Sequence, residues 1–233
     1  MSGWPGAIPT KAGTMLIVLE GLDGSGKGTQ TELLLSYLAE KGIKHRKLRF
    51  PDYDDPSSTL VKMYLDGQFG DAPGDVGAYA ASAFYAVDRY ASFTRYWADD
   101  YKNGTTLVCD RYTTSNAVHQ TCKLPREMWD EYLDWLYDFE FCKLGIPRPD
   151  IVLYFDQLPE ISARLIEGRY AGTDRKKDIH ERDMEYLVKC REAGLYAARR
   201  LGWKVITCFE GDEPLPIEFI HGLVKDEYGH SKI

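Results

Sequence analysis

The chain lacks any apolar run approaching the roughly 20 residues that a membrane-crossing helix requires, and a helical membrane partner is excluded on that ground. It also lacks a CxxC pair. Its five cysteines, Cys109, Cys122, Cys142, Cys190 and Cys208, are scattered and odd in number, so free thiols are expected in place of a disulfide framework or a cysteine metal site. Cys109 and Cys208 fall in apolar runs and are expected to be buried, whereas Cys142 and Cys190 fall in helical patterns. Positive charge is the scarcer sign. With 29 Lys and Arg against 36 Asp and Glu, the formal net charge is -7, and no basic stripe interleaved with aromatics offsets it, so a nucleic-acid polymer is not an expected partner. Residues 1–14 are rich in Gly, Pro and small side chains and lack the basic start and apolar core of a signal peptide. They read as a flexible extension, and cytoplasm is the expected location. Repeats, low-complexity tracts and an interdomain linker are also missing.

What is present is a pattern of apolar strands alternating with helices. Among 233 residues, 44% are hydrophobic and 28% charged, enough for the core of one substantial domain. Strands are predicted over 15–20, 44–50, 105–110, 150–155 and 204–209. Helices are predicted over 28–41, 75–101, 126–144, 159–167, 180–201 and 216–226, with a short one near 56–65. The first strand is a continuous apolar run, as expected of a strand covered on both faces. The alternation argues for an α/β domain with a mostly parallel sheet, spanning 15–228 before a short polar tail at 229–233.

The strongest motif follows the first strand. Gly21-Leu22-Asp23-Gly24-Ser25-Gly26-Lys27-Gly28-Thr29 carries GxxxxGK spacing between a strand and a helix, the context in which that spacing cradles a nucleoside triphosphate. Glycines let backbone N–H groups converge on phosphate oxygens, and the helix N-terminus adds unpaired donors. Lys27 supplies a point charge for the β- and γ-phosphates. Gly28 stands directly after the lysine, where a hydroxyl residue is usual, so Thr29 and Ser25 are the candidate hydroxyls near a Mg²⁺ ion. At the end of the third strand, Asp110 could orient Mg²⁺ directly or through water, and Arg111 could hold phosphate bidentately. A strand-end salt bridge is the plainer alternative for that pair. In parallel sheets ligands lie beyond the C-terminal strand ends, which brings Asp23, Asp110 and Arg111 towards Lys27.

Three segments together resemble the thymidylate kinase family: Glu20-Gly21-Leu22-Asp23-Gly24-Ser25-Gly26-Lys27-Gly28-Thr29-Gln30, Asp110-Arg111-Tyr112-Thr113-Thr114-Ser115-Asn116, and the basic region after Gly168. The resemblance spans residues 15 to about 220. It implies a three-layer P-loop NTPase fold, a five-stranded parallel sheet of order 2-3-1-4-5 with helices on both faces, a mobile lid around 166–180, and a homodimer. It also implies transfer of phosphate from ATP to dTMP, giving dTDP. Carried over residue by residue, Asp23 touches the sugar 3′-hydroxyl and the monophosphate region. Phe50 lines the acceptor site. Tyr85, with Phe84 as the alternative, stacks on thymine. Arg89 bonds the base edge, Arg111 holds phosphate, and Ser115 and Asn116 lie in the acceptor site, Asn116 on the base. Tyr85 and Phe50 could equally be core aromatics.

Some family members carry an arginine inside the P-loop, and others supply it from the lid. Gly24 occupies the P-loop position here, which favours the lid type. Arg169 is the preferred lid arginine and Arg164 the second choice, with Arg175, Lys176 and Lys177 nearby. His119 stands three residues after Asn116, where many members have tyrosine beside the sugar 2′ position, and Gln120 adds a polar group there. Glu181 resembles an acidic position after the lid, although a carboxylate at a helix start is an equal reading. Three alternatives to a dTMP kinase stay open from the sequence: a kinase for another deoxynucleoside monophosphate or a deoxynucleoside, an ATP-dependent switch, and a non-catalytic nucleotide-binding module. A guanine-reading NKxD element is missing.

Overall fold

The computed structural model describes residues 10–170 and 183–231, with the side chains of Arg169 and Tyr170 outside that set. Five parallel strands form the sheet: β1 (Met15–Gly21), β2 (His45–Arg49), β3 (Thr106–Asp110), β4 (Ile151–Asp156) and β5 (Lys204–Thr207), in the order β2-β3-β1-β4-β5. This is the expected order and the expected α/β class. β1 is central, and its register places Leu19 beside Asp110 of β3 and Gly21 beside Phe155 of β4. Alternate side chains of β1 leave on opposite faces. Ile17 and Leu19 join a core with Leu34 and Leu38 of α1 (Lys27–Glu40) and Ile220 and Val224 of α9 (Ile217–His230). Leu16 and Val18 join the larger core on the other face, with Trp97, Tyr112, Tyr132, Leu136 and Ala193.

That second face is built by α3 (Ala78–Ser92), α5 (Thr113–His119), α6 (Trp129–Tyr137) and α8 (Met184–Leu201). The single long helix expected over 75–101 is a composite. α3 gives way to a π-helical segment, Phe93–Trp97, and then to α4 (Ala98–Lys102). The helix expected over 126–144 likewise passes from α6 into a π-helical segment, Asp138–Lys143. Periodicity at 3.6 residues per turn does not separate an α-turn from a wider one. The aromatics of α6 belong to the core, as the burial of Trp129, Tyr132, Leu133 and Leu136 shows. The fifth strand stops at Thr207, and β6 (Phe209–Glu210) and β7 (Glu213–Pro214) then form a small antiparallel hairpin. α2 (Thr59–Leu65) and α7 (Pro159–Tyr170) complete the described elements. α8 starts at Met184, where Asp183 accepts from the Tyr186 N–H at 2.9 Å. Cys109 and Cys208 are buried, as expected.

At the start of the described chain, the Lys11 N–H bonds the Lys102 carbonyl at 3.1 Å and the Thr14 hydroxyl bonds the Tyr101 carbonyl at 3.0 Å. Residues 10–14 of the expected extension are therefore fastened to the end of α4.

α8 crosses β4 at Gly194 because the Tyr154 hydroxyl fills the space a side chain would need: a Cβ there would sit 2.2 Å from that oxygen. Gly194→Ala must displace a fully buried tyrosine, and a destabilisation of roughly 1–3 kcal/mol is expected. Urea unfolding followed by tryptophan fluorescence measures it, and an unchanged midpoint would refute this packing constraint.

Candidate active site

The C-terminal ends of β1 and β3 deliver the polar groups. β1 runs into the glycine-rich turn, and α1 begins at Lys27 with Gly26 as its N-cap, left-handed at φ 87° and without a side-chain cap. The first N–H groups of α1 therefore keep their donors for an anion. Gly28 and Thr29 are exposed on this first turn, whereas Ser25 and Lys27 are buried.

Asp23 links the turn to β3. One of its carboxylate oxygens accepts from Lys27 Nζ at 3.1 Å and from Arg111 Nη2 at 2.8 Å. Burial alone would raise the Asp23 carboxyl, but the charges of Arg111, Lys27 and His119 outweigh it and hold the group well below its ordinary value. Lys27 Nζ also bonds the Leu22 carbonyl at 3.2 Å. Arg111 is left-handed at φ 71°, a backbone conformation that non-glycine residues adopt rarely and that tertiary contacts must hold in place. Burial would lower its guanidinium, and Asp23, Glu20 and Asp110 more than compensate, raising it above the usual arginine value.

Glu20 supplies those contacts. Its side chain is completely buried, and both oxygens are saturated. Oε1 accepts from the Gly21 N–H at 2.9 Å and Arg111 Nη1 at 3.1 Å, and Oε2 accepts from Thr114 Oγ1 and Ser115 Oγ, each at 2.7 Å. The sequence reading quoted Glu20 within its motif and gave it no role. A charged residue closing an apolar strand was the available signal.

α5 is a second feature that sequence reasoning missed. Its Thr-Thr-Ser-Asn start has poor helix propensity, and tertiary hydrogen bonds hold it. Thr114 and Ser115 bond Glu20, while Thr113 Oγ1 and Asn116 Nδ2 bond Glu140 at 2.7 and 3.1 Å. Glu140, on the π-helical segment after α6, is also completely buried. It takes Arg89 Nε at 2.6 Å and Arg89 Nη2 at 2.5 Å. Burial would lower the Arg89 guanidinium, and the Glu140 charge instead raises it.

The residues expected on the acceptor side lie on α3, on and just after α5, and directly after β2. Tyr85 shares a face of α3 with Ser82 and Arg89 and meets Tyr64 edge-on at 6.4 Å. Phe84 turns to Phe69 at 5.6 Å. Phe50 is buried and tilted against Tyr112 at 5.6 Å, and a cis peptide joins it to Pro51. Asp88 anchors the following loop by accepting from the Asp52 N–H at 3.0 Å and the Ser57 hydroxyl at 2.6 Å. His119 approaches Arg111 Nη1 at 3.4 Å through Nε2, lies 3.5 Å from Cys190 Sγ through Nδ1, and stacks on Tyr186. Gln120 is buried, and its Oε1 has no hydrogen-bond partner.

α7 closes on the glycine-rich turn from the other side. A Cβ at Gly24, whose φ is 80°, would meet the Ser162 carbonyl oxygen at 2.5 Å, so the turn has no room there for an arginine. Arg164 is exposed, donates to the Asp212 carbonyl, and lies 3.8 Å from Glu213. That contact carries it to the turn between β6 and β7, away from Lys27. The Arg169 backbone lies in α7. Arg175, Lys176, Lys177 and Glu181, with residues 171–180 of the expected lid, lie outside the described residues.

A metal-bound phosphate fits the donors present. Asp110 Oδ1 and Ser25 Oγ are buried without hydrogen-bond partners among the described residues. Among the described residues no group of three or more His, Cys, Asp or Glu side chains forms a metal cage. Such a site suits an ion held largely by phosphate oxygens and water.

A sequence model of the thymidylate kinase family matches residues 19–210. Thymidylate kinase of Mycobacterium tuberculosis is 30% identical over 185 residues, covering 78% of this chain and 84% of that one. The Danio rerio enzyme is 26% identical, covering 91% and 88%. The solved structure of thymidylate kinase from Candida albicans superimposes with a TM-score of 0.67 at 20% identity over 96% of each chain, a likeness of fold.

Because the folded Asp23 carboxyl lies below its unfolded value, its stabilisation is complete above about pH 4 and is lost as pH falls through the folded value. The stability difference between the native chain and Asp23→Asn should hold steady from about pH 6 to pH 4 and shrink as the pH falls further, towards about pH 2. Urea titrations across that range measure it, and a constant difference would count against the Arg111–Asp23–Lys27 linkage.

Proposed function

The chain belongs to the thymidylate kinase family, and on that premise we propose how its residues divide the work. The protein transfers the γ-phosphoryl group of ATP to dTMP, giving dTDP and ADP. The observation that carries the residue assignment is Asp23 holding Lys27 and Arg111 on one carboxylate oxygen beside the uncapped start of α1.

Phosphoryl transfer asks for alignment and charge stabilisation more than for covalent chemistry. Backbone N–H groups of Gly24 and of Gly26 to Thr29, with the Lys27 ammonium, take the donor phosphates. Arg111 takes phosphate between donor and acceptor, and Asp23 orients both cations and the acceptor sugar. The acceptor is a phosphate oxygen, already anionic, so no general base is required. Mg²⁺, when bound, neutralises charge between the phosphates, with Thr29 and Asp110 as the residues to hold it. The unpartnered Asp110 Oδ1 supports that assignment. Arg169 is the lid arginine. The crowding of Gly24 by Ser162 supports a source outside the turn, and Arg169 lies seven residues, about 10 Å of helix, beyond Ser162. Arg164 and the turn around Gly211 and Asp212 take the adenine side.

On the acceptor side, Tyr85 stacks on the base, Arg89 and Asn116 read its edge, and Ser115, His119, Gln120 and Phe50 line the rest. Glu181 acts from beyond α7. The placement of Tyr85 and Arg89 one turn apart on the same face supports this assignment over Phe84, which packs on Phe69. The protein works in the cytoplasm as a homodimer joined through the outer face of α3, where Val87 and Tyr90 are each 44% exposed.

A coupled assay of ADP release with dTMP and ATP tests the scheme. Lys27→Ala should lose nearly all turnover while keeping its circular dichroism spectrum, and Arg169→Ala should lose about a hundredfold or more in kcat with a small change in ATP affinity. Wild-type kcat in either variant would reject that residue's role. Tyr90→Asp should convert dimer to monomer in analytical ultracentrifugation, and an unchanged sedimentation coefficient would rule out the α3 interface.

A further inference from the structure

Glu140 is far from the glycine-rich turn in sequence and belongs to no motif, yet three of the four hydrogen bonds it accepts come from Arg89 and Asn116, the residues proposed to read the acceptor base. We propose that Glu140 is the positioning residue that sets the hydrogen-bonding polarity of the base-reading pair, and so selects a pyrimidine with a 4-keto group and an N3–H over cytosine. This deepens the reading of Arg89 and Asn116 as base readers and rests on it.

The geometry constrains Asn116 first. Its Nδ2 lies 3.1 Å from Glu140 Oε1 and 3.2 Å from the Ser82 carbonyl oxygen. Both neighbours accept only, so the amide cannot turn over without placing Oδ1 against two oxygens. The NH₂ group is fixed inward, and Oδ1, which accepts no hydrogen bond from the described residues, is left as an acceptor for a ligand. Arg89 is constrained by the same carboxylate. Nε and Nη2 engage Glu140 side-on, and Nη1 donates to the Tyr112 carbonyl at 3.3 Å. Three of the five guanidinium N–H groups are thereby directed, and two remain to donate. Arg89 thus faces the ligand as a donor and Asn116 as an acceptor. Thymine presents the complement, O4 and N3–H. Cytosine presents an amino group and a bare N3, and meets a mismatch at both atoms.

Burial gives the carboxylate its authority. Glu140 and Arg89 are 0% and 1% exposed, so neither can exchange its partner for water. Thr113 Oγ1 fixes Oε2 from the start of α5. The π-helical segment brings Glu140 here, and such widened turns recur at functional sites. Replacing Glu140 by Gln keeps shape and volume while supplying an amide NH₂ that can donate to a turned-over Asn116. A turned-over Asn116 then meets one opposing oxygen, the Ser82 carbonyl, in place of two, and its orientation is less firmly fixed.

The test compares steady-state kinetics of the native chain and Glu140→Gln with dTMP and dCMP at saturating ATP. The expected result is a rise of about tenfold or more in KM for dTMP, a smaller change in kcat, an unchanged KM for ATP, and a fall of about tenfold in the dTMP/dCMP ratio of kcat/KM. Glu140→Asp keeps the charge but withdraws it by one methylene, and serves if the Gln variant does not fold. It should show the same loss of discrimination in weaker form. A scaffold role would lower thermal stability and leave the selectivity ratio of the folded fraction unchanged, which overturns the proposal. Asn116→Ala and Arg89→Gln are run alongside. If they leave KM for dTMP unchanged, the base-reading assignment fails and the proposal with it. If they raise it and the Glu140 variants do not, the positioning role alone fails.

Discussion

The site depends on two buried carboxylates reaching saturation at the start of one short helix. Glu20 and Glu140 come from well-separated parts of the sequence, and each has four donors on its two oxygens. α5 lies between them, and its first four side chains alternate in allegiance: Thr113 to Glu140, Thr114 and Ser115 to Glu20, and Asn116 back to Glu140. A buried carboxylate is tolerated only with such satisfaction. Stripping a partner from a buried pair costs about 3–5 kcal/mol. The N-terminus of a helix, where the backbone dipole favours negative charge, is a suitable place for both.

The phosphate side inherits its order from Glu20. This residue closes β1, bonds the first N–H of the glycine-rich turn, and holds Arg111. Arg111 in turn keeps a left-handed backbone that places its guanidinium across the sheet onto Asp23. Through Asp23 the linkage reaches Lys27. A cation from β3 and a cation from α1 thus share one carboxylate oxygen, and neither is free to swing away from the strand ends. Such preorganisation does for phosphoryl transfer what a strong base does for other reactions. Glu140 orders Arg89 and Asn116 in parallel, so α5 joins the two buried carboxylates through two adjacent turns of backbone.

Much of this was legible in the sequence. GxxxxGK between an apolar strand and a helix identifies a phosphate cradle because few other structures need that spacing, and the Asp110-Arg111-Tyr112 segment narrows the family. The strand and helix alternation yields the α/β class, and the cysteine pattern yields free thiols with Cys109 and Cys208 buried. Other features left no trace. The π-helical segments carry the same apolar repeat as an α-helix. α5 has the composition of a loop. Glu140 is one acid among Asp130, Glu131, Asp134 and Asp138 on the same stretch, and only burial separates it from its solvated neighbours.

The sequence alone determined the fold class, the position of the phosphate-binding turn, the lysine that serves it and the family, because these follow from local patterns: hydrophobic period, glycine spacing and a few residues in contiguous order. The tertiary structure decided which charges are paired, which amide orientation Asn116 must keep, why Gly24 admits no side chain, and that a segment opening with four poor helix formers becomes α5. These depend on groups brought together from 20 to 140 in the chain. Their energies arise from burial and from the saturation of a few oxygen lone pairs, quantities that exist only after the core has closed.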